Sequence, residues 1–202
     1  MKILLTVLIF IFNLQSLSYA DDISSFEIEG FAIGDNILEH FTKQKLTQFS
    51  RSYGNDHNGI EIYSDVSKSH KRYYDLDKYD GLQISYTKNS DNYYEIISIS
   101  GQIWFTDKIN ECLIKRDEVI EQIESILGSS VIKKNIKHTG RKHYADETGK
   151  SYTYDATFYL SNDNELRVDC YDWSKSAGYW DHLRIGVLTS EFMNLVDRDY
   201  NK

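Results

Sequence analysis

Alternating apolar and polar residues over positions 152–170 constrain the fold of this chain more than any other pattern in its sequence. The apolar positions are Tyr152, Tyr154, Ala156, Phe158 and Leu160, followed after a polar turn at 161–164 by Leu166, Val168 and Cys170. A period of two is typical of a strand with one buried face, and Ser, Asn and Asp are common turn residues. The pattern predicts a β-hairpin whose second strand points Cys170 toward the core.

A second pattern predicts a helix over 110–127. Its apolar residues fall on one helical face and are Leu113, Val119, Ile120, Ile123, Ile126 and Leu127. Glu111 stands near the predicted N-terminus, where a negative charge is favourable, and Gly128 follows the last turn. Cys112 falls in the first turn, from which it can reach a neighbouring strand.

The first twenty residues have the pattern of a secretory signal peptide. Lys2 supplies a positive charge, residues 3–12 are apolar except for one threonine, and Ser18 and Ala20 are the small residues of a cleavage site. The segment is shorter than the roughly 20 apolar residues that cross a bilayer. We therefore expect cleavage before Asp21 and a mature protein in the periplasm or secreted. A lipoprotein would carry Cys at that position, so no lipid anchor is expected.

The two cysteines of the chain, Cys112 and Cys170, both lie in the mature part. An even number of cysteines in an oxidising compartment predicts a disulfide between them. The alternatives are a catalytic or metal-binding thiol pair and two buried, unpaired thiols. The chain has no Cys-x-x-Cys spacing and no histidine beside either cysteine, which argues against a zinc site.

The remaining patterns complete the fold prediction. Strands are predicted at 26–29, 60–62, 82–86, 93–105 and 183–187. Helices are predicted at 37–49, with Thr42 as a candidate start of a second short helix, and after position 190. Helices followed by strands, twice over, predict an α+β fold with an antiparallel sheet and helices packed on one face, built from two diverged halves or as one unit. We interpret residues 21–202 as a single domain. Asp35 and Ser190 are the predicted helix caps, and Gly101 the predicted site of a bulge.

The charge of the chain limits its partners. Asp and Glu total 31 against 23 Lys and Arg, a net charge of −8. Such a surface repels phosphate backbones and anionic lipids, so we expect no nucleic-acid partner. No apolar stretch after the signal reaches spanning length, so no integral membrane segment is expected after cleavage. The sequence has no P-loop, G-x-G-x-x-G, H-E-x-x-H or G-x-S-x-G motif, and no cofactor is expected.

A histidine-containing loop is the one metal-site candidate in the sequence. His138 and His143 are followed closely by Asp146 and Glu147. A metal site needs such groups to converge, but the basic pair at 141–142 between the histidines would repel a cation. We interpret the segment as a solvated loop and expect no metal.

Residues 169–182 have the most unusual composition of the chain. The candidate binding residues are Tyr171, Asp172, Trp173, Tyr179, Trp180 and His182. Aromatic rings with a polar edge, placed beside carboxylates, are suited to line a groove for a carbohydrate or a peptide. We favour a non-enzymatic exported protein that binds another protein or a small ligand through this segment.

One alternative is a purely structural stress or envelope-maintenance protein with no discrete site, and another is an envelope hydrolase that acts on glycan or peptide. Its catalytic groups would come from Asp169, Asp172, Asp181 and His182, since paired carboxylates hydrolyse glycosidic bonds. Asp169 and Asp172 are an odd number of residues apart, so on one strand they point to opposite faces. We therefore assign no catalytic residue.

Several segments resemble a known group of proteins. They are 26–35 (Phe-Glu-Ile-Glu-Gly-Phe-Ala-Ile-Gly-Asp), 101–105 (Gly-Gln-Ile-Trp-Phe), Glu111-Cys112, 170–174 (Cys-Tyr-Asp-Trp-Ser) and 183–185 (Leu-Arg-Ile). Over most of the mature chain they resemble small exported bacterial proteins of unknown function, a resemblance that implies no activity or ligand. The order of elements also resembles helix-plus-sheet repeat modules of periplasmic assembly proteins and of secreted β-lactamase-inhibitor proteins. A likeness of fold does not assign a function.

Overall fold

The computed structural model describes residue 23 and residues 26–53, 57–89 and 93–200, and it confirms the predicted α+β fold. The predicted signal peptide and the start of the mature chain lie outside the described residues. The strands are β1 (Glu27–Ile28), β2 (Phe31–Ala32), β3 (Ser50–Tyr53), β4 (His57–Tyr63), β5 (Gly81–Lys88), β6 (Tyr94–Trp104), β7 (Lys133–Ile136), β8 (Arg141–Lys142), β9 (Tyr152–Tyr154), β10 (Ala156–Tyr159), β11 (Glu165–Asp172) and β12 (His182–Leu188). The helices are α1 (Lys43–Phe49), α2 (Ile109–Leu127) and α3 (Ser190–Tyr200).

One antiparallel sheet contains ten of these strands. Its order is β3-β4-β5-β6-β12-β11-β10-β7, and β9 continues the row of β10 along β11, with β8 beside it. Each half of the chain therefore supplies a meander that follows a helix. The halves join where β6 pairs with β12, from His182 opposite Trp104 to Leu188 opposite Ser98. This order agrees with the prediction of two halves, each built as a helix followed by strands.

One face of the sheet forms the core. The predicted alternation is confirmed, because Leu166, Val168 and Cys170 are buried together beneath α2. The predicted disulfide is confirmed as well: Cys112 in the first turn of α2 is bonded to Cys170, with 6.1 Å between their Cα atoms. The disulfide attaches the helix to the middle of the second meander.

The N-terminal segment covers the same face over the first meander. The predicted helical segment at 37–49 is divided into a single 3-10 turn, Ile37–Glu39, and α1, which is capped by Thr42, the predicted start of a second short helix. Asn36 caps the turn, whereas the carboxylate of Asp35 accepts a hydrogen bond from the backbone N–H of Ala32. The prediction that Asp35 is the cap was therefore wrong by one residue, because the Asp35 side chain bonds within the turn that follows β2.

Strand β6 has its irregularity in a different place from the one predicted. Gly101 pairs regularly with Leu82 and Ile185, and the extra residue lies at Ile97, between the pairs Ser85–Ser98 and Tyr86–Ile96. Glycine is needed at 101 for another reason, because a Cβ there would lie 2.3 Å from the ring of Tyr79. The Tyr79 ring packs directly on the Gly101 backbone.

Helix α3 begins at the bulge, and its Met193 contacts Arg167, which alternates with the core residues of β11. This helix therefore lies on the opposite side of the sheet from α2, so the prediction that the helices pack on one face holds for α1 and α2 but not for α3. The carbonyl oxygen of Ile97 accepts hydrogen bonds from the backbone N–H and the hydroxyl of Thr189. The Thr189 hydroxyl also accepts from the N–H of Phe192, so Thr189, and not the predicted Ser190, caps the helix. In the described part of the chain, no helix has the length and apolar character needed to cross a membrane.

Candidate functional site

The face of the sheet opposite the core carries a groove of about 920 Å³. It runs across β4, β5, β6, β12, β11 and β9. Its floor is lined by small residues, including Ser98, Ser100 and Gly186. A Cβ at Gly186 would lie 2.8 Å from the Cβ of Ser100, so no side chain fits at this position and the floor there is bare backbone. Large side chains stand at both ends of the strands, and this contrast in size makes the face concave.

A row of rings crosses one end of the groove. Strand pairing places Trp104, His182 and Tyr171 side by side on β6, β12 and β11. The His182 ring stacks on Tyr171 with 4.5 Å between centroids and meets Trp104 edge-on at 5.6 Å. Burial lowers the pKa of His182 to about 4, so the imidazole is neutral at physiological pH. The row is an apolar wall with a fixed shape.

The next row along the strands carries charge. Gln102, Arg184 and Asp169 are neighbours across β6, β12 and β11. The guanidinium of Arg184 lies 4.0 Å from Oδ2 of Asp169 and 4.9 Å from the centre of the Tyr171 ring. Burial raises the pKa of Asp169 to about 6, although the positive charge of Arg184 opposes this shift. A charged pair therefore lies on the groove floor without close contact between its members.

The segment after β11 forms the rim beside the ring row. Trp173 packs against His143 at 4.3 Å and against Tyr179 at 4.6 Å. Trp180 lies 5.9 Å from Trp104, and the ammonium of Lys68 lies 3.7 Å from its ring centre. All three tryptophans of the chain therefore line the groove.

Several polar atoms in the lining have no hydrogen-bond partner among the described residues. They are the indole nitrogens of Trp104 and Trp173 and the hydroxyl of Thr153, three of four such buried side-chain atoms. Buried polar groups are nearly always paired, and each exception calls for an explanation. Their concentration here sets the groove apart from the rest of the described chain.

The structure brings together five of the six predicted binding residues. Tyr171, Trp173, Tyr179, Trp180 and His182 all line the groove. Asp172 does not, because its position on β11 is of opposite parity to Tyr171. Burial, helped by the nearby Asp181, raises the pKa of the Asp172 carboxyl.

The carboxylates required by the hydrolase alternative lie in three different places. Asp169 is on the groove floor and Asp172 is on the other face of the same strand, as their spacing predicted. Asp181 accepts hydrogen bonds from the backbone N–H groups of Asp107, at 3.0 Å, and Trp173, at 2.6 Å. Its carboxylate thereby holds two loops together at the rim.

The histidine loop divides between the groove and the surface. His143 lines the groove beside Tyr144, with their rings stacked at 4.8 Å, whereas His138 is exposed. The Asp146 carboxylate accepts from the hydroxyls of Ser151 and Ser174, and hydrogen bonds of this kind lower its pKa. Within the described residues no three His, Cys, Asp or Glu side chains are placed to share a metal ion.

Charged groove residues outside 169–182 were missed by the sequence analysis, apart from Arg141. Six cationic side chains line the groove, namely Arg51, Lys68, Arg72, Arg141, Arg167 and Arg184, against the carboxylates of Glu61, Asp155 and Asp169. Glu165, just outside the lining, pairs with Arg167 at 2.7 Å. The local excess of positive charge contrasts with the net charge of −8 for the chain. Strand parity was the available signal for Arg167 and Arg184, which alternate with core residues on β11 and β12, whereas Lys68 and Arg72 lie outside the strands.

Comparison with known proteins adds no family to this description. No protein-family model matches the chain, and neither a curated protein nor a solved structure matches it.

Proposed function

We propose that this protein is an exported, non-enzymatic binding protein that holds a segment of another protein in the groove. The observation that carries this proposal is the contrast between the two faces of one sheet. One face is buried beneath α2 and the N-terminal segment. The other carries all three tryptophans and Arg184 on a concave surface, where the buried ring of Tyr171 packs against Arg184. Trp, Tyr and Arg are the residue types that dominate binding energy at protein interfaces.

The size of the groove favours a polypeptide over a small ligand. Six strand rows, spaced about 4.8 Å apart, give a width of roughly 24 Å. An extended chain advances about 3.4 Å per residue, so roughly seven residues fit across the sheet. A small ligand would leave most of this surface unused.

Three aromatic residues of the groove, Tyr171, Trp173 and Trp180, are packed as walls and are not free stacking surfaces for sugars. The Tyr171 ring has His182 stacked at 4.5 Å and the Arg184 guanidinium at 4.9 Å. Trp173 has His143 and Tyr179 within 5 Å, and Trp180 has Lys68 over its ring. Sugar recognition uses open ring faces, so this packing favours a protein partner over a glycan.

Export is part of the proposal and rests on the sequence of the first twenty residues. The Cys112–Cys170 disulfide is compatible with it, since disulfides persist in oxidising compartments. A fusion of residues 1–25 to a reporter enzyme that is active only outside the cytoplasm tests the signal directly. An active reporter is expected, and an inactive one would contradict export.

A pair of photo-crosslinking variants tests the binding surface. Tyr179 at the groove rim is 60% exposed and Ile114 on α2 is 64% exposed, so the two positions are matched in access but lie on opposite faces. We expect Tyr179→p-benzoylphenylalanine, expressed in the native host, to give one discrete adduct that excess wild-type protein suppresses. Ile114→p-benzoylphenylalanine should not give that adduct.

The adduct must then lead to a measured affinity. After the captured protein is identified and purified, Trp180→Ala should weaken its binding at least tenfold while leaving the circular dichroism spectrum and melting temperature unchanged. Adducts from Ile114 alone, or equal affinity of the Trp180 variant, would contradict the proposal. A second copy of this chain in the adduct would identify the groove as a self-association surface instead.

A further inference from the structure

We propose that the bound segment is acidic and that Arg184 receives one of its carboxylates. The inference rests on the proposed function, because it names the chemistry of the segment that the groove holds. Three observations carry it: the unused hydrogen-bonding capacity of Arg184, the charge balance of the groove and the length of the surface.

The Arg184 guanidinium is placed differently from those of Arg72, Arg141 and Arg167. Arg72 donates to Glu61 at 2.9 Å, Arg141 to Asp155 at 3.0 Å and Arg167 to Glu165 at 2.7 Å. Arg184 has Asp169 only at 4.0 Å, which is beyond hydrogen-bond distance. Among the described residues no acceptor takes a hydrogen bond from its guanidinium.

This position makes the Arg184 guanidinium a preformed binding site for a carboxylate. The side chain is 28% exposed, and the ring of Tyr171 supports its guanidinium at 4.9 Å. A guanidinium presents its donors as a rigid fork that matches both oxygens of a carboxylate. A partner Asp or Glu can therefore take up donors that the protein leaves unused.

Other cationic side chains extend this preference along the groove. Lys68 stands at the rim beside Trp180, and two arginines, Arg51 and Arg72, share the single carboxylate of Glu61. Positive charge is therefore present at the rim and at one flank as well as on the floor. A segment with several carboxylates along its roughly seven residues matches that spread.

The net charge of the chain argues against a nucleic acid as the anion. DNA carries one charge per about 1.7 Å, about twice the density of a fully acidic extended peptide, so a protein with a net charge of −8 repels DNA more strongly than it repels such a peptide. An acidic peptide has a lower charge density and offers apolar side chains to the ring row. Charge density and apolar side chains thus favour carboxylates of a protein over phosphates of a nucleic acid.

Fluorescence anisotropy with labelled octapeptides tests the inference. The probe is fluorescein-labelled octaglutamate, with octaglutamine and octalysine as neutral and basic controls and a heparin oligosaccharide as a different polyanion. We expect octaglutamate to bind at least tenfold more tightly than either control peptide and more tightly than heparin. The inference would be overturned by equal binding of the three peptides, by tighter binding of heparin, or by no octaglutamate binding at 1 mM. A Kd of 1 mM corresponds to an interaction on the order of 4 kcal/mol.

Charge variants locate the contact. Arg184→Gln should weaken octaglutamate binding at least tenfold, whereas Lys43→Gln, which removes the same charge from the exposed start of α1, should change it less than twofold. Asp169→Asn should tighten binding, because it removes the competing negative charge while its amide oxygen can still accept from the N–H of Ala156. Weaker binding by this variant would contradict the assignment even if the Arg184 variant fails to fold.

The outcome separates this inference from the proposed function. If the Tyr179 adduct forms and its partner binds Arg184→Gln as tightly as wild type, the groove is the binding surface but the acidic anchor is wrong. If neither the adduct nor octaglutamate binding is seen, both proposals fail.

Discussion

Replacing Cys112 and Cys170 by alanine should lower the free energy of unfolding by about 4 kcal/mol. The disulfide joins residues 58 positions apart, so it closes a long loop in the unfolded chain. For a loop of that length the chain-entropy model gives about 14 cal/mol/K, or about 4 kcal/mol at 25 °C. Both cysteines are fully buried, so the small voids left by alanine add to the loss.

Urea unfolding followed by tryptophan fluorescence measures this loss. With a slope of about 2 kcal/mol per molar urea, the midpoint should fall by about 2 M. Oxidised wild type, reduced wild type and the Cys112→Ala/Cys170→Ala variant form the comparison, and reductant should leave the variant unchanged. A midpoint shift below about 0.5 M, roughly 1 kcal/mol, would refute the reasoning that this bond restricts the unfolded chain.

Three further substitutions test the packing and charges of the sheet. Gly101→Ala places a Cβ 2.3 Å from the Tyr79 ring and should lower the free energy of unfolding, measured by thermal unfolding, by roughly 1–3 kcal/mol. In a protein that already carries Tyr79→Ala most of that loss should vanish, and an equal loss would contradict the contact. Burial raises the folded-state pKa of Asp169 to about 6, so this carboxyl destabilises the fold as pH rises from about 4 to 6. In urea unfolding, the free energy of unfolding of Asp169→Asn should therefore exceed that of wild type by an amount that grows by up to about 3 kcal/mol between pH 4 and pH 7. His182 contributes in the opposite direction, but equally in both proteins. A difference that does not change with pH would contradict the burial of Asp169. Asp181→Ala removes the acceptors of two backbone N–H groups and should cost about 2 kcal/mol in the same assay. Asp181→Asn keeps one acceptor oxygen and places an NH2 group against the other N–H, so it should recover only part of that loss.

Local sequence patterns predicted the elements whose stability depends on near neighbours. The 152–170 alternation gave the strands around Cys170, and the apolar face at 110–127 gave α2 to within one residue of its start. Both patterns reflect burial of one face, which a period of two or of 3.6 reports directly. The same parity argument placed Asp169 and Asp172 on opposite faces.

The features that local patterns missed depend on distant parts of the chain. Nothing near β6 shows that it pairs with β12, the contact that joins the two meanders and creates one wide groove. The carbonyl of Ile97 at the bulge accepts hydrogen bonds from Thr189, 92 residues away. Arg184 lies in a predicted strand without any motif, and the role proposed for it depends on its place beside Tyr171 and Asp169.

The central claim is that the groove face binds the partner, and fluorine NMR of protein labelled with 5-fluorotryptophan tests it most directly. Trp104, Trp173 and Trp180 are all the tryptophans of the chain and all line the groove, so each of the three resonances reports on that face. When the purified partner captured at position 179 is added, we predict that the resonances of Trp104 and Trp180 shift and saturate with the binding isotherm. A partner that binds while all three resonances stay in place would contradict the account.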